Sequence, residues 1–546
     1  MTLLQIIEGA CGRAARRGKV YRQVSKGANM TTIASHTLTF TRTDPELNEL
    51  FERTQEISDL DNLLSLLGWD QQVNMPPQAN QIRGPQLATL QALAHERRTA
   101  PRIGELLDIV GPRVQGEGYT DADRGLVREA RRAYDQNTKI PAALVREVAE
   151  TTSAAWGAWE QAKPANDFAL FAPHLRKVVT LMRQVAEHLG YQGSPYNALL
   201  DLYEPGMTLD TLNPIFARVR EATVDLLRRI QASGRAIDTS CIHGTFDTAK
   251  QLDLCTEMLK RMGYRFEAGR MDQSSHPFTG GGGSPFDVRL TTRVDPTYLP
   301  MALMAAIHEG GHALYEQGSD PALARTILAG GTSMGLHESE SRLWENYIGR
   351  SLPFWKRHVD LLRTTFPETF GRREVEEFVS AINEVKPSFI RTEADEVTYN
   401  LHIIIRFELE QGLITGEIDV DDLPHLWNQK YHDYLGIVPP TDTLGVLQDI
   451  HWSGGSFGYF PTYTLGNLYG AQIYHTLRQV FPDFDERLAT EGTAFILNWL
   501  REQMYAYGKT YTPDEVIRKM TGEALNPEYF VQYANAKFGS LYGLNA

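Results

Sequence analysis

The residues best suited to chemistry lie near the middle of the chain, in His308-Glu309-Gly310-Gly311-His312. Pro300 near the start and Gly318 at the end punctuate a single helix around them. On a helix, two histidines four apart leave the same face with Cβ atoms about 5–6 Å apart, close enough to share one ion. Neutral imidazole suits zinc, and Glu309, a quarter-turn away, is placed to activate a metal-bound water rather than to ligate. Adjacent glycines inside a helix cost roughly 1 kcal/mol each against alanine, so the close approach of a substrate strand or another backbone should require them. Leu303, Ile307 and Leu314 form the apolar stripe of this helix, with the histidines opposite, as in the wall of a cleft.

A catalytic zinc takes three protein ligands and keeps one position open. A third histidine six residues after His312 would complete one known pattern, but Gly318 stands there. The candidates nearby are His337, Glu338 and Glu340, in Leu336-His337-Glu338-Ser339-Glu340-Ser341-Arg342. Read as a helix, this segment turns Leu336, Glu340, Leu343 and Tyr347 one way and Glu338, Arg342 and Glu345 the other. Burial favours Glu340. The histidines, however, avoid the apolar stripe of their own helix, and Glu338 is the choice consistent with them.

These elements sit in a helical chain. From Asp44 onward, three-to-four spacing of apolar residues predicts helices, beginning with Pro45-Glu46-Leu47 and continuing over 83–98, 120–136, 141–162, 168–190 and 209–233. Pro45, Pro141 and Pro173 fall where helices are expected to start. Ser233 to Thr248 reads as a loop. His276-Pro277-Phe278 and Phe286 to Val294 alternate in the strand period, with Gly280 to Gly283 as a flexible turn between them, which predicts a small hairpin or sheet. Its second strand is expected to edge the cleft and to pair with a substrate backbone. Ile390 to Leu409 reads as one helix, with Arg391, Asp395, Thr398, His402 and Arg406 on one face. Periodicity alone makes that face a solvated one.

Composition bounds the function. Over 546 residues, 54 Lys and Arg against 68 Asp and Glu leave a net charge of −14, with a pI near 5.6. That balance argues against a nucleic-acid or anionic-membrane partner, because both need a basic face. Hydrophobic residues make up 42% and charged residues 22%, which suits a globular chain with a deep core. Three cysteines (Cys11, Cys241, Cys255) with no CxxC pair exclude a disulfide framework and fit a reducing, cytoplasmic setting. Leu299 to Ile307 is too short an apolar run to span a bilayer. Residues 1–43 read as a basic extension, disordered or outside the folded domain; the Arg-rich, acid-poor residues 1–30 also fit an organelle-targeting leader, with a plain extension or a true start at Met30 preferred, and 44–546 reads as the functional domain.

Several motifs together resemble one family. His308-Glu309-Gly310-Gly311-His312 followed by His337-Glu338-Ser339-Glu340-Ser341-Arg342 is similar to the M32 carboxypeptidases, the thermostable carboxypeptidase family of metallopeptidases. The family's other signatures follow in order: His276-Pro277-Phe278, Asp287-Val288-Arg289-Leu290-Thr291, Ile390-Arg391-Thr392-Glu393-Ala394-Asp395, and Gly445-Val446-Leu447-Gln448-Asp449-Ile450-His451-Trp452. Trp69-Asp70 with Met75-Pro76 resembles the family's N-terminal pattern. The departures are Glu340, where many members have Gln, and residues 1–43, which have no counterpart.

The resemblance implies a mainly α, two-lobed metallopeptidase with a deep cleft and a small β-sheet beside the HExxH helix, similar to oligopeptidases and angiotensin-converting enzyme. It implies a homodimer that removes single residues from free peptide C-termini with broad specificity. His308, His312 and Glu338 would bind zinc, or cobalt in some members, with Glu309 as general base. Arg391, the Arg of the IRxxAD motif, is the first candidate for the substrate carboxylate, with Arg289 and Arg406 as fallbacks and His276 nearby. His451, Tyr459 and Tyr463 are unranked candidates for holding the oxyanion. The alternatives are an endo- or oligopeptidase on a similar fold, and a peptide-binding protein with a structural metal.

Overall fold

Asp44 starts the first long helix, Pro45–Val73: its carboxylate accepts from Leu47 N at 3.1 Å, and Pro45 fills the first turn where no N–H is needed. A computed structural model describes residues 38–544, and most of the basic extension lies outside them. From Leu38 the chain is held to the body: Leu38 N donates to Asp320 and Thr41 Oγ1 to Asp123. The helices Asn80–Arg98, Asp121–Thr138, Ala142–Ala165, Phe168–Leu189 and Leu209–Ser233 follow the apolar periodicity. Pro173 does not start a helix. Asp167 caps Phe168–Leu189, and Pro173 lies inside it. No helix among the described residues is long and apolar enough to cross a membrane.

Among the described residues two large hydrophobic cores form, with a small third cluster of Cys255, Ala302 and Ala306 beside the sheet. The larger runs from Ile140 to Tyr542 and contains Trp344, Trp355 and Trp427, all fully buried. The smaller joins Leu47, Phe51, Leu106 and Leu126 of the N-terminal helices to Leu323 and Leu328. Among the described residues the architecture is mainly α with a single three-stranded sheet.

The sheet comprises β1 (Gly269–Gln273), β2 (Thr279–Ser284) and β3 (Asp287–Thr292) in the order β1-β3-β2. β1 runs parallel and β2 antiparallel to β3, with Thr279 opposite Leu290. Two expectations are corrected here. The four glycines form strand β2 itself, and the turn falls at Pro285-Phe286. A Cβ on Gly283, at φ +60°, would lie 2.0 Å from Asn62 Oδ1 of the first long helix, so glycine is what lets that helix lie on the strand. β3 is also the central strand, paired on both edges, so it has no edge to offer a substrate; β1 and β2 are the outer strands.

Ile390 to Leu409 is likewise not one helix. Arg391–Glu393 is a short 3-10 turn and the helix is Tyr399–Thr415. Asp395 explains the break, because its carboxylate accepts from the backbone N–H of Val397 and Thr398 and so stops one element before the next begins.

Candidate metal centre and active site

The histidine helix, Leu299–Gly318, lies against the sheet, and Thr292 of β3 donates to its Ala302 carbonyl. The glutamate helix, Met334–Arg342, is capped by Ser333, which accepts from Leu336 N at 3.1 Å. Where the two cross, a Cβ on Gly311 would sit 2.5 Å from Glu340 O and 2.8 Å from Ser341 Cα. The glycine therefore admits another backbone, as its place in a helix implied. The contact brings Glu338 Oε2 to 3.8 Å from His308 Nε2 and 3.5 Å from His312 Nε2.

Glu338 Oε1 accepts from Arg342 Nε at 2.7 Å, which leaves Oε2 turned to the histidines. Burial works against the charge on Glu338, but Arg342 and His308 outweigh it and hold the carboxyl well below the usual range. His308 Nδ1 lies 2.9 Å from Glu345 Oε2, and Glu345 is anchored in turn by Arg350. The other two ligand candidates point elsewhere. Glu340 accepts from Tyr505 and is pushed up to about 8 by burial, and His337 packs against the far side of His312. Glu309 is 6% exposed, with Oε2 held 2.7 Å from Thr279 Oγ1 of β2.

A second cluster centres on Asp449. Arg391 reaches Oδ1 through Nε and Nη2 at 3.1 and 3.0 Å and donates from Nη1 to Tyr399 OH at 3.2 Å. Arg406 reaches Oδ2 at 2.7 Å and the His402 carbonyl at 2.6 Å. Arg406 is fully buried, so it supports Asp449 and does not meet a substrate. Arg289 is also spent, forked on Asp287 and lying over the Trp69 ring.

His451 stacks on Tyr459, and its Nδ1 has no hydrogen-bond partner among the described residues. Burial first, then Arg391 and Arg406 against the opposing pull of Asp449, push it down to about 3, so the ring is neutral at ordinary pH. Tyr463 meets Tyr459 edge-on, under the Arg391 guanidinium, and burial raises its pKa. His276, in the β1–β2 loop, is lowered by burial and by Arg293, Lys163 and Arg391 around it. Four cations thus gather about one aspartate and two imidazoles.

The helix Pro461–Val480 ties the two clusters together. Tyr463 serves the second cluster, while a Cβ on Gly466, one turn on, would lie 2.4 Å from Glu338 Cγ. Arg342 completes the link, stacked over the Tyr399 ring at 4.3 Å. Thr279, Tyr399 and Arg350 carried no signal in the sequence, since each meets its partner across a change of element.

Residues 49–538 match the family model described as Carboxypeptidase Taq (M32) metallopeptidase. The chain belongs to the M32 carboxypeptidase family. It is 42% identical to Carboxypeptidase 1 of Bacillus subtilis (strain 168) over 496 residues, 90% of this chain and 98% of that one. Thermostable carboxypeptidase 1 of Thermus thermophilus is 42% identical over 505 residues, again 90% and 98% of the two chains. The crystal structure of the M32 carboxypeptidase from Deinococcus radiodurans R1 superposes with a TM-score of 0.88 at 38% identity, covering 92% of this chain and 100% of that one. This M32 member is accordingly a metal-dependent carboxypeptidase, a peptide hydrolase.

A metallopeptidase needs a metal, and the donor set fits one. The ligand atoms of His308, His312 and Glu338 lie within 4.8 Å of one another. Atoms bound at tetrahedral corners of one zinc would be about 3.3 Å apart, so separations of 3.5 and 3.8 Å need only a slight contraction. Among the described residues no other group of three His, Cys, Asp or Glu converges in this way.

Proposed function

We propose that this M32 carboxypeptidase is a zinc enzyme, with cobalt an acceptable substitute, that releases single residues from free peptide C-termini with broad specificity. His308, His312 and Glu338 hold the metal. The observation that carries the reading is the convergence of these three donors one helical turn from a cluster with surplus positive charge. When bound, the ion supplies Lewis acidity to the scissile carbonyl and acidifies the attacking water.

The rest is the work of the chain. Glu309 takes the proton of the water on Oε2, the oxygen Thr279 orients, and passes it to the leaving amine. Arg391 keeps two N–H groups beyond those given to Asp449 and Tyr399, and with His276 beside it receives the substrate carboxylate. His451, Tyr459 and Tyr463 supply neutral donors for the oxyanion. Of the two outer strands, β2 borders Glu309 and is the one a substrate backbone can follow. Residues 44–546 act as one catalytic domain, with residues 1–43 an extension to it. The enzyme works as a homodimer in the cytoplasm, a setting that suits the buried free thiols Cys241 and Cys255.

An N-blocked tripeptide and its C-amidated twin, each with and without chelator, test the reading. Chelator-sensitive release of one residue from the free acid alone is expected. Cleavage of both peptides would make the protein an endopeptidase and remove the role given to Arg391.

A further inference from the structure

The two histidines of the metal centre are oriented differently. His308 Nδ1 meets the Glu345 carboxylate directly. His312 Nδ1 instead meets another imidazole nitrogen, His337 Nδ1, at 2.7 Å. Two ring nitrogens at that distance share one proton, so one donates and the other accepts. The direction is decided one step further out. His337 Nε2 lies 2.7 Å from Glu316 Oε1, and a carboxylate only accepts. His337 therefore carries a proton on Nε2, and in that neutral tautomer its Nδ1 is bare and accepts the proton that His312 carries on its own Nδ1. That leaves the lone pair of His312 on Nε2, the atom 3.5 Å from Glu338 Oε2.

The packing locks this order. Glu316 is one turn beyond His312 on the histidine helix, and His337 immediately precedes Glu338 on the glutamate helix. The His337 ring is held between His312 and Tyr315, with centroids 4.7 and 5.4 Å away. A Cβ on Gly331, in the loop leading to the glutamate helix, would lie 2.7 Å from His337 Cδ2, so that loop packs closely on the ring.

We infer that His337 and Glu316 are positioning residues which, through the His312–His337–Glu316 chain, fix the tautomer and orientation of His312 for metal binding. The inference rests on the metal-centre reading above. Partners of this kind are worth about 10–100-fold in metal affinity.

The test is zinc affinity, measured by competition with a chelating dye, together with the visible spectrum of the cobalt form. His337→Phe keeps the ring volume but removes the acceptor; about 10–100-fold weaker zinc binding and an altered cobalt spectrum are expected. His337→Gln offers an amide oxygen to His312 and an amide N–H to Glu316, and should stay within about threefold of wild type. A purely structural histidine would show no such rescue. Zinc affinity of the Phe variant within about threefold of wild type would overturn the inference, as would a Gln variant that falls equally far. If the Phe variant does not fold, Glu316→Ala takes its place, with a loss of at least about threefold expected and no loss overturning the idea. Wild-type protein that binds no zinc would overturn the metal-centre reading itself, and this inference with it.

Discussion

Glu338 is divided between two tasks, one oxygen fixed by Arg342 and the other facing the histidines, whereas Glu309 has a single support in Thr279. The division makes separable predictions. Glu309→Gln keeps an acceptor for Thr279 but cannot hold a proton. Turnover should fall about 10²–10⁴-fold while zinc affinity stays within about threefold, read from steady-state hydrolysis and a zinc titration. Turnover within tenfold of wild type would remove Glu309 from the role of base. Arg391→Lys keeps the charge and loses the fork, so KM for free-acid peptides should rise about tenfold or more with kcat little changed. An unchanged KM would move the carboxylate site elsewhere. At this scale the sequence was informative where one helix face was enough: opposing the apolar stripe picked out Glu338 over Glu340. It was silent on Thr279 and Tyr399, whose partners lie 30 residues and 8 residues away across a change of element.

Helices are legible when their caps and their packing agree, as at Asp44 or Thr120, and less so when one polar side chain interrupts a plausible pattern, as Asp395 does. The glycine strand shows another limit. Four glycines read as a turn by local propensity, yet here Gly283 lets a helix lie on the strand and Gly281 and Gly282 let it lie close to Asp287 of β3, tertiary facts no local signal carries. Gly311 tests the same logic in a helix. Gly311→Ala gains helix propensity but drives a Cβ into the backbone of the glutamate helix, so a net loss of about 1–3 kcal/mol and weaker zinc binding are expected. Gly157→Ala, in Ala142–Ala165 with nothing within 4 Å of the new Cβ, should instead stabilise by about 0.5–1 kcal/mol. Urea midpoints of the two variants check the opposite signs. If Gly311→Ala were also stabilising, the close crossing of the two helices would be wrong.

Glu204 acts at the scale of the whole molecule, because it joins three segments far apart in the chain. It follows the helix Pro195–Asp201, accepts from Gly335 N at the start of the glutamate helix, and accepts from Tyr469 OH of the helix Pro461–Val480. Burial is the largest influence and, despite these donors, pushes the carboxyl up to about 7. An unfolded glutamate titrates near about 4.3. Between those values the folded protein holds a proton that the unfolded chain has released. The stability Glu204 contributes is therefore fully present below about pH 4.3, declines by roughly 1.4 kcal/mol per unit as pH rises, and levels off above about 7. Glu204→Gln can keep both contacts, since the Tyr469 hydroxyl can turn to accept, and it titrates nothing. From pH 5 to pH 8, the stability of the Gln variant relative to wild type should rise by roughly 2–3 kcal/mol, measured by urea unfolding of the metal-free proteins. The same difference at both pH values would mean that Glu204 is ionised in the folded protein throughout. The three-way joint would then be held by a charged carboxylate rather than a neutral one.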